Sequence, residues 1–383
     1  MFYIIPNAYE PGTAATNRMM ALLHSLDKLH TGVQITTVFF EPNKTEDRIN
    51  ERYDNITIRT LWHKGERRGS KILLRLKTLY RQRRFFNSLK EGDTLLFSGY
   101  PHLLGMFLRK KGVHIYHEMN EHPSVIPLGP RGQHISIDKY LKWCRQLDGL
   151  FVISTQLTDY FVEKGVNIEK IHLYKMTVDP GRFVSIEKQP QDIPYLAYCG
   201  TVSNFKDGVD ILLRAFALVK KEYNKPLKLR VIGKVPSETE KAGNLKLIEE
   251  LEVSEDVVLT GMIKPEVMPQ MLKNAEATVL ARPDNIQAKY GFPTKLGEYL
   301  LASNPVIVTA VGDIPLYLKD GESALIAEPS NPQAVADKIL WVLRHPQEGK
   351  DIGARGCQVA LDNFNSDAEA KHVLNIITPK RTV

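Results

Sequence analysis

Cysteine and long hydrophobic runs are scarce in this sequence of 383 residues. The three cysteines, Cys144, Cys199 and Cys357, are far apart and form no CxxC or Cys/His pattern, which predicts neither disulfides nor a zinc site. No apolar run approaches the roughly 20 residues that a membrane-spanning helix needs. The first residues have an apolar run of only four and no basic leader, which is typical of a buried strand rather than a secretion signal. We therefore expect a cytoplasmic protein with reduced, structural cysteines.

Several catalytic motifs are also missing. No Asp-x-Asp metal motif lies at a plausible strand end, and the chain has no GxxxxGK[ST] phosphate loop and no serine or cysteine nucleophile elbow. These absences favour chemistry without a metal ion or a resident cofactor. A GxGxxG after the first strand is missing as well, which argues against a dehydrogenase.

Positive charge is concentrated in one stretch of the chain. The formal net charge is +7, and residues 64–90 hold ten basic residues against one acid, Glu66. The rest of the chain is therefore close to neutral, which indicates one local anionic partner and not a surface that binds nucleic acid. Apolar side chains alternate with these cations. The segment fits an anionic surface on the inner face of the cell membrane, a solvated helix docked on its own sheet, or a site for a polyanionic acceptor.

Short apolar runs alternate with helical stretches along both halves of the chain, an order typical of βαβ units. The predicted strands are 2–5, 33–40, 56–62, 94–97, 114–117 and 150–153, then 196–199, 227–232, 257–260, 277–280, 306–309 and 324–327. The predicted helices of the second half are 208–222, 265–274, 293–302 and 332–344. The length also exceeds the usual size of one core. We expect an α/β protein with two Rossmann-like, doubly wound domains that face each other across a ligand-binding cleft.

The predicted domain boundaries follow from this alternation and from a polar, proline-containing stretch near the middle. They are 1–184 for the N-terminal domain, 185–194 for the linker, 195–365 for the C-terminal domain and 366–383 for a C-terminal helix that packs back on the N-terminal domain.

The segment 282–302 is the most informative part of the sequence. It reads as a loop that enters a helix, with Pro293 at the first helical position, where backbone N–H groups favour phosphate. Lys295 falls in the first helical turn, a place where a cation is unfavourable unless an anion neutralises it. Glu298 follows one turn later and can accept hydrogen bonds from sugar hydroxyls. Spacing alone also allows an exposed Lys–Glu pair on an ordinary helix.

This segment resembles the donor-binding signature of glycosyltransferase family 4, the retaining enzymes of GT-B fold. In that family a Glu, seven residues and a second Glu flank the loop; Glu298 matches the second, which holds the nucleotide ribose, and Tyr290 stands at the first. The subgroup with GFPTK followed by a Glu-Tyr pair commonly lacks the first acid. The resemblance implies donor contacts from the loop residues Arg282, Gly291, Phe292, Pro293 and Thr294.

The resemblance extends over nearly the whole chain. Residues 198–216 look like the Gly-Arg…Lys-Gly segment of the family, which places Gly200 and Lys206 at the diphosphate and puts Thr201 where arginine is usual. Arg282 or Lys295 would then supply more of the positive charge. Further strand ends resemble those that cradle the base, and the residues concerned are Gly233, Met262 and Ile263.

In the first domain, His117 and Glu118 resemble the His-Asp pair whose imidazole reaches the donor sugar, although a lone histidine at a strand end is often structural. The loop with Gly12 is similar to the glycine loop on the acceptor side. Residues 178–183 resemble the segment near the hinge.

The resemblance implies a retaining transfer from a UDP- or GDP-linked sugar to a lipid-linked or polysaccharide acceptor in cell-surface glycan assembly. Lys206, Lys295 and His117 are then the predicted catalytic residues. Two alternatives remain open at this point: a nucleotide-sugar epimerase of the same architecture, and a catalytically silent scaffold that binds sugar nucleotides.

Overall fold

The chain folds as two compact units in a computed structural model that describes residues 1–6, 14–29, 34–40, 53–61, 70–128 and 135–378. The first unit contains Met1–Lys175 and Ser366–Val383, and the second contains Met176–Asn365. The sequence predicts residues 176–184 to be part of the first domain, whereas they lie in the second unit. There the Val178 N–H donates to the Phe364 carbonyl at 3.0 Å.

A parallel sheet forms the centre of the first unit. Its seven strands within the described residues are in the order β3-β2-β1-β4-β5-β6-β7. They are β1 (Phe2–Ile5), β2 (Ile35–Phe39), β3 (Ile56–Thr60), β4 (Thr94–Phe97), β5 (His114–Met119), β6 (Gly149–Val152) and β7 (Ile171–Leu173). The helices of this part are α1 (Ala14–Lys28), α2 (Lys71–Ser88), α3 (Leu104–Phe107), α4 (Ile137–Cys144) and α5 (Thr155–Glu163).

The second unit repeats this architecture. Its six strands, all in described residues, pair in parallel in the order β10-β9-β8-β11-β12-β13. They are β8 (Tyr195–Cys199), β9 (Lys228–Ile232), β10 (Val257–Gly261), β11 (Ala277–Leu280), β12 (Val306–Thr309) and β13 (Leu325–Ala327). The helices are α6 (Asn204–Asp207), α7 (Val209–Glu222), α8 (Glu238–Glu250), α9 (Met268–Asn274), α10 (Ile286–Tyr290), α11 (Lys295–Leu301), α12 (Ile314–Tyr317), α13 (Pro332–Arg344) and α14 (Pro346–Asn363).

The central strands of both sheets are buried along their whole length, as β4, β6, β11 and β12 illustrate. Helices cover parallel sheets on both faces, so such strands are continuously apolar rather than alternating. This is why short apolar runs identified them in the sequence. In both sheets the strand order reverses beside the first strand, between β1 and β4 and between β8 and β11. Ligands of doubly wound sheets bind beyond the carboxyl ends of the strands at such a reversal.

The C-terminal helix α15 (Ser366–Ile377) packs within the first unit. Ser25 donates a buried hydrogen bond to Ser366 at 2.9 Å, and the Tyr116 hydroxyl donates to the Ile376 carbonyl at 3.3 Å. The chain therefore leaves the first unit after Lys175 and returns to it at residue 366.

Two helical glycines of the second unit give a matched test of how closely the helices of that unit pack. A Cβ on Gly353, in α14, would lie 2.6 Å from backbone atoms of Ser303 and Asn304, whereas a Cβ on Gly243, in α8, would meet nothing within 4 Å. We expect Gly353→Ala to destabilise the protein by about 1–3 kcal/mol, because backbone cannot move aside as a side chain can. Gly243→Ala should stabilise it by about 0.5–1 kcal/mol. Urea unfolding of both variants checks the signs, and equal effects would contradict the packing described.

Candidate functional site

The carboxyl ends of β8 and β11 carry the candidate site of the second unit. After β8 the chain enters the short helix α6, and the Ser203 hydroxyl caps it by accepting from the Lys206 N–H at 3.3 Å. Gly208 then turns the chain with a φ of +66°, and a side chain there would overlap the Ala281 carbonyl. Only glycine suits this left-handed, crowded position. The turn therefore places Lys206 beside the loop that follows β11, where Arg282 Nε donates to the Lys206 carbonyl at 3.3 Å.

A buried carboxylate lies at the centre of this site. Asp207 is 1% exposed, and Lys295 Nζ donates to its Oδ2. The Tyr198 hydroxyl lies 2.9 Å from the same oxygen and accepts from Lys295 Nζ at 3.3 Å. Arg282 Nε is 4.0 Å from the other oxygen, Oδ1. The predicted cations Lys206, Lys295 and Arg282 thus surround Asp207, an acid that was not among the predicted site residues.

The ionisation of this cluster follows from burial and from opposite charges. Burial alone would raise the pKa of Asp207, but Lys295 and Arg282 hold that pKa below its ordinary value. Burial lowers the pKa of Lys295, and the attraction of Asp207 opposes that change. Asp207 is therefore ionised at neutral pH. One acid among three cations leaves a surplus of positive charge, which attracts anions.

Two glycines bring the backbone close to the cluster. A Cβ on Gly200 would lie 2.5 Å from both Cε and Nζ of Lys295. Gly233, at the end of β9, has a φ of +139°, and a side chain there would overlap the Gly200 carbonyl. These two predicted residues therefore lie side by side. Thr201, the next residue, is exposed.

The helix that was predicted to begin at Pro293 begins at Lys295 and ends at Leu301. The N-terminus of this helix of seven residues is equivalent to at most about half a positive charge. The side-chain cations therefore supply most of the positive charge here. Phe292 is buried against Tyr317, with ring centroids 5.5 Å apart, and this contact supports the loop. The other predicted loop residues, Gly291, Pro293 and Thr294, adjoin it in the chain.

Glu298 lies on α11 and pairs with Arg182, which was not among the predicted site residues. Arg182 NH1 donates to Glu298 Oε1, and its NH2 donates to the Pro265 carbonyl at 3.2 Å. Pro265 follows β10 closely, as do the predicted base contacts Met262, which is exposed, and Ile263. Sequence spacing gave no sign of the Arg182 contact, because the two side chains are 116 residues apart.

In the first unit, the two predicted residues of β5 have different surroundings. His117 is 1% exposed, and its Nδ1 lies 3.0 Å from the Phe97 carbonyl. Its Nε2 is buried and has no hydrogen-bond partner in the described part of the chain. Burial lowers the pKa of His117 to about 4, so the imidazole is neutral at neutral pH. With Nδ1 donating to the carbonyl, Nε2 is left as an acceptor.

Glu118 belongs to an internal ion pair of the first unit. Arg18 Nε donates to Glu118 Oε1 at 3.1 Å, and Asn120 Nδ2 donates to the same oxygen at 2.9 Å. Arg18 also donates to the carbonyls of Tyr174 and Lys175, so its position is fixed by several bonds. The predicted Gly12 lies outside the described residues.

Part of the second unit matches a known family. Residues 193–345 match the family model described as Glycosyl transferases group 1. A segment of 87 residues is 32% identical to trehalose synthase of Pyrococcus horikoshii and covers 23% of this chain and 20% of that protein. A segment of 168 residues is 25% identical to N-acetyl-alpha-D-glucosaminyl L-malate synthase of Bacillus anthracis and covers 43% of this chain and 41% of that one. The chain therefore spans less than half of either curated relative.

Solved structures resemble the chain over nearly its full length. HepE of Anabaena in complex with UDP has a TM-score of 0.73 at 13% identity and covers 98% of each chain. Sucrose-phosphate synthase of Thermosynechococcus elongatus has a TM-score of 0.73 at 14% identity and the same coverage. A glycosyltransferase of Rickettsia africae has a TM-score of 0.71 at 13% identity and covers 98% of this chain and 97% of that one. These likenesses confirm the predicted GT-B fold of two Rossmann-like domains.

The pairing of Asp207 predicts how stability depends on this residue and on pH. Asp207→Asn should destabilise the protein by about 3–5 kcal/mol at neutral pH, because Lys295 would be buried without its counter-charge. Because the pKa of Asp207 is lowered on folding, its stabilising effect is complete above the ordinary value of 3.8 and is lost as the pH falls through the folded value. The loss caused by Asp207→Asn should therefore shrink in acid.

Urea unfolding at neutral pH and at a series of acidic pH values measures this effect. Asp362→Asn is the matched control, since Asp362 is exposed on α14. A loss for Asp207→Asn no larger than for Asp362→Asn would contradict the central place of this carboxylate.

Proposed function

We propose that this protein is a glycosyltransferase that takes a sugar from a nucleotide diphosphate donor, with the diphosphate held by the second unit. The observation that carries the proposal is the cationic cluster around Asp207: Lys295 and Arg282 lie beside its carboxylate, and the charge of Lys206 also acts on it. The cluster lies at the strand reversal between β8 and β11, inside the segment 193–345 that matches the glycosyl transferase model. The UDP complex of the structurally similar HepE supports a nucleotide ligand for this fold.

The chemistry of the proposed reaction needs positive charge at the leaving group. The bond between the anomeric carbon and the diphosphate oxygen breaks, and negative charge grows on the departing diphosphate. The acceptor hydroxyl forms the new bond, and its proton passes to the departing phosphate. Lys206 and Lys295 meet the growing charge as preorganised cations, and the side chain of Lys295 is only 12% exposed. By the family resemblance, the transfer retains the configuration at the anomeric carbon.

The remaining roles are proposals of the same kind. Glu298 would accept hydrogen bonds from the ribose, and the strand ends at Gly233, Met262 and Ile263 would contact the base of a UDP- or GDP-linked donor. His117 would accept a hydrogen bond from a hydroxyl of the donor sugar through Nε2, which has no partner among the described residues. The acceptor would be a lipid-linked or polysaccharide glycan of the cell surface. Metal independence also stays a prediction.

Loss of one lysine from the cluster tests the proposed catalysis. Because loss of one preorganised donor to a developing negative charge costs about 2.7–4 kcal/mol, Lys206→Ala and Lys295→Ala should slow turnover by about 10²–10³ at saturating donor. Lys206→Ala leaves the Lys295–Asp207 ion pair in place, so it separates catalysis from folding. Lys246→Ala is the control, because Lys246 is 77% exposed on α8.

The assay mixes UDP- and GDP-sugars with candidate acceptors and analyses the products. Transfer that depends on an acceptor supports the proposal, and unchanged turnover in both lysine variants would remove the assigned role of the cluster. An epimerised donor formed without acceptor would identify an epimerase instead. Binding without any product would identify a scaffold.

We also propose that the exposed face of α2 binds an anionic membrane surface. Large apolar side chains are exposed along this helix, with Ile72 at 74%, Leu76 at 58% and Tyr80 at 67%. Its C-terminal half packs inward through Gln82 and Phe85, which are 5% and 2% exposed. Residues 71–88 contain six basic residues and no acid. No helix among the described residues is both long and apolar enough to span a bilayer, so this contact would be peripheral.

If the exposed face of α2 contacts membranes, the protein should bind anionic vesicles. Wild-type protein should sediment with vesicles of anionic phosphatidylglycerol and much less with vesicles of phosphatidylcholine alone, since each cation near the surface contributes about 1 kcal/mol. Leu76→Glu/Tyr80→Glu should reduce this binding at least about tenfold, because it removes buried apolar area and adds repulsion. Leu316→Glu, at an exposed leucine of α12 in the second unit, is the control. Wild-type protein that stays in the supernatant would contradict the proposal.

A further inference from the structure

We propose that Arg182 positions the Glu298 carboxylate for the ribose hydroxyls of the donor and so makes the site selective for ribonucleotides. The inference rests on the proposed function, in which Glu298 contacts the ribose. Arg182 is a positioning residue in this scheme, because it acts through Glu298.

The turn that carries Arg182 is anchored on both sides. Pro180–Arg182 form a single turn of 3-10 helix, and Asp179 Oδ1 accepts from the Gly181 N–H at 2.9 Å. Phe183, which follows, is 7% exposed. Val178, which precedes the turn, is 3% exposed and hydrogen-bonded to the chain end of the second unit. The guanidinium therefore projects from a backbone that has little freedom to move.

Two nitrogens of the Arg182 guanidinium reach two different elements. NH1 donates to Glu298 Oε1 on α11, and NH2 donates to the Pro265 carbonyl after β10 at 3.2 Å. The guanidinium is planar and rigid, so two such bonds fix the orientation of the carboxylate relative to that loop. A lysine at this position could supply the positive charge but not the two fixed hydrogen bonds to different elements. The side chains of Arg182 and Glu298 are 25% and 18% exposed, so solvent screens the pair only in part.

The backbone of α11 is located by the same segment. Gly297, which precedes Glu298, packs directly under Val178, and a side chain on it would overlap Val178 Cγ1. Met176 Cε would also lie 3.0 Å from that added Cβ. Residues 176–183 therefore position Glu298 in two ways. Val178 packs against the neighbouring Gly297, and Arg182 donates a hydrogen bond to the Glu298 carboxylate.

The chemistry of a carboxylate explains why this arrangement suits a ribose. A carboxylate offers about four acceptor positions, so a bond from Arg182 to Oε1 uses only part of its capacity. Two adjacent hydroxyls donate to a carboxylate most effectively when it is ionised and already oriented. A glutamate without the arginine would have to lose side-chain freedom on binding, which weakens the contact. A purely structural ion pair would change stability without changing the preference for ribose.

The experiment measures binding of UDP and GDP and of their 2′,3′-dideoxy counterparts by titration calorimetry, using the full chain. The wild type should prefer at least one ribonucleotide over its dideoxy counterpart. Arg182→Gln should weaken binding of that ribonucleotide by about tenfold or more and leave the dideoxy compound nearly unaffected, so the preference is lost. Arg182→Lys should restore little of it. Arg344→Gln removes an exposed arginine paired with Glu222 in the same unit and should leave all affinities unchanged.

A double-mutant cycle with Glu298→Gln separates positioning from folding. Arg182→Gln/Glu298→Gln should bind the ribonucleotide no more weakly than Glu298→Gln alone, because the arginine acts only through the carboxylate. Additive losses would overturn the inference, and so would a wild-type ribose preference that survives in Arg182→Gln. If the wild type binds UDP or GDP but shows no ribose preference, this inference fails while the proposed function stands. If it binds neither nucleotide, both fail.

Discussion

The candidate site of the second unit depends on the burial of one ionised carboxylate. Asp207 is almost completely removed from solvent, and an unpaired charge in such a place would cost several kcal/mol. A cation must therefore lie against it, and Lys295 from α11 does so. This requirement brings the start of α11 to the end of β8 and to α6. Gly200 fits this arrangement, because the methylene next to the Lys295 ammonium lies where a Cβ on residue 200 would be.

The Asp207–Lys295 pair also explains how several cations can be held close together in a partly buried site. Three cations crowded together would repel one another, and burial would favour loss of the proton from a lysine. Asp207 reduces both penalties while neutralising only one positive charge, so a surplus remains at the strand ends. The seven residues of α11 supply a weak dipole, which leaves the side chains as the main source of that surplus. A diphosphate would meet fixed charge rather than charge recruited on binding.

The architecture and the cations Lys206, Lys295 and Arg282 were predictable from the sequence, but Asp207 and Arg182, which organise the site, were not. The apolar runs of β4 and β11 are readable because both faces of a parallel strand are buried. Lys295 was visible as a cation in a first helical turn, where it is unfavourable without a counter-charge. Asp207 and Arg182 were not, since their partners lie 88 and 116 residues away and no local pattern records a contact made by folding. The 3-10 turn at Pro180–Arg182 is likewise too short for a periodic pattern to indicate.

The two units share one strand order but differ in the charge at their strand ends. In the first unit, Glu118 is balanced by Arg18, and burial keeps His117 neutral, so the groups at the end of β5 present no net charge. In the second unit, three cations and one acid lie beside the ends of β8 and β11 and give a net positive charge. Neutral, hydrogen-bonding groups suit hydroxyls, and fixed cations suit phosphates. A donor has both parts, a sugar rich in hydroxyls and a diphosphate rich in charge. Taken unit by unit, the fixed cations of the second unit suit the diphosphate of the proposed donor, and the neutral His117 imidazole of the first suits a hydroxyl.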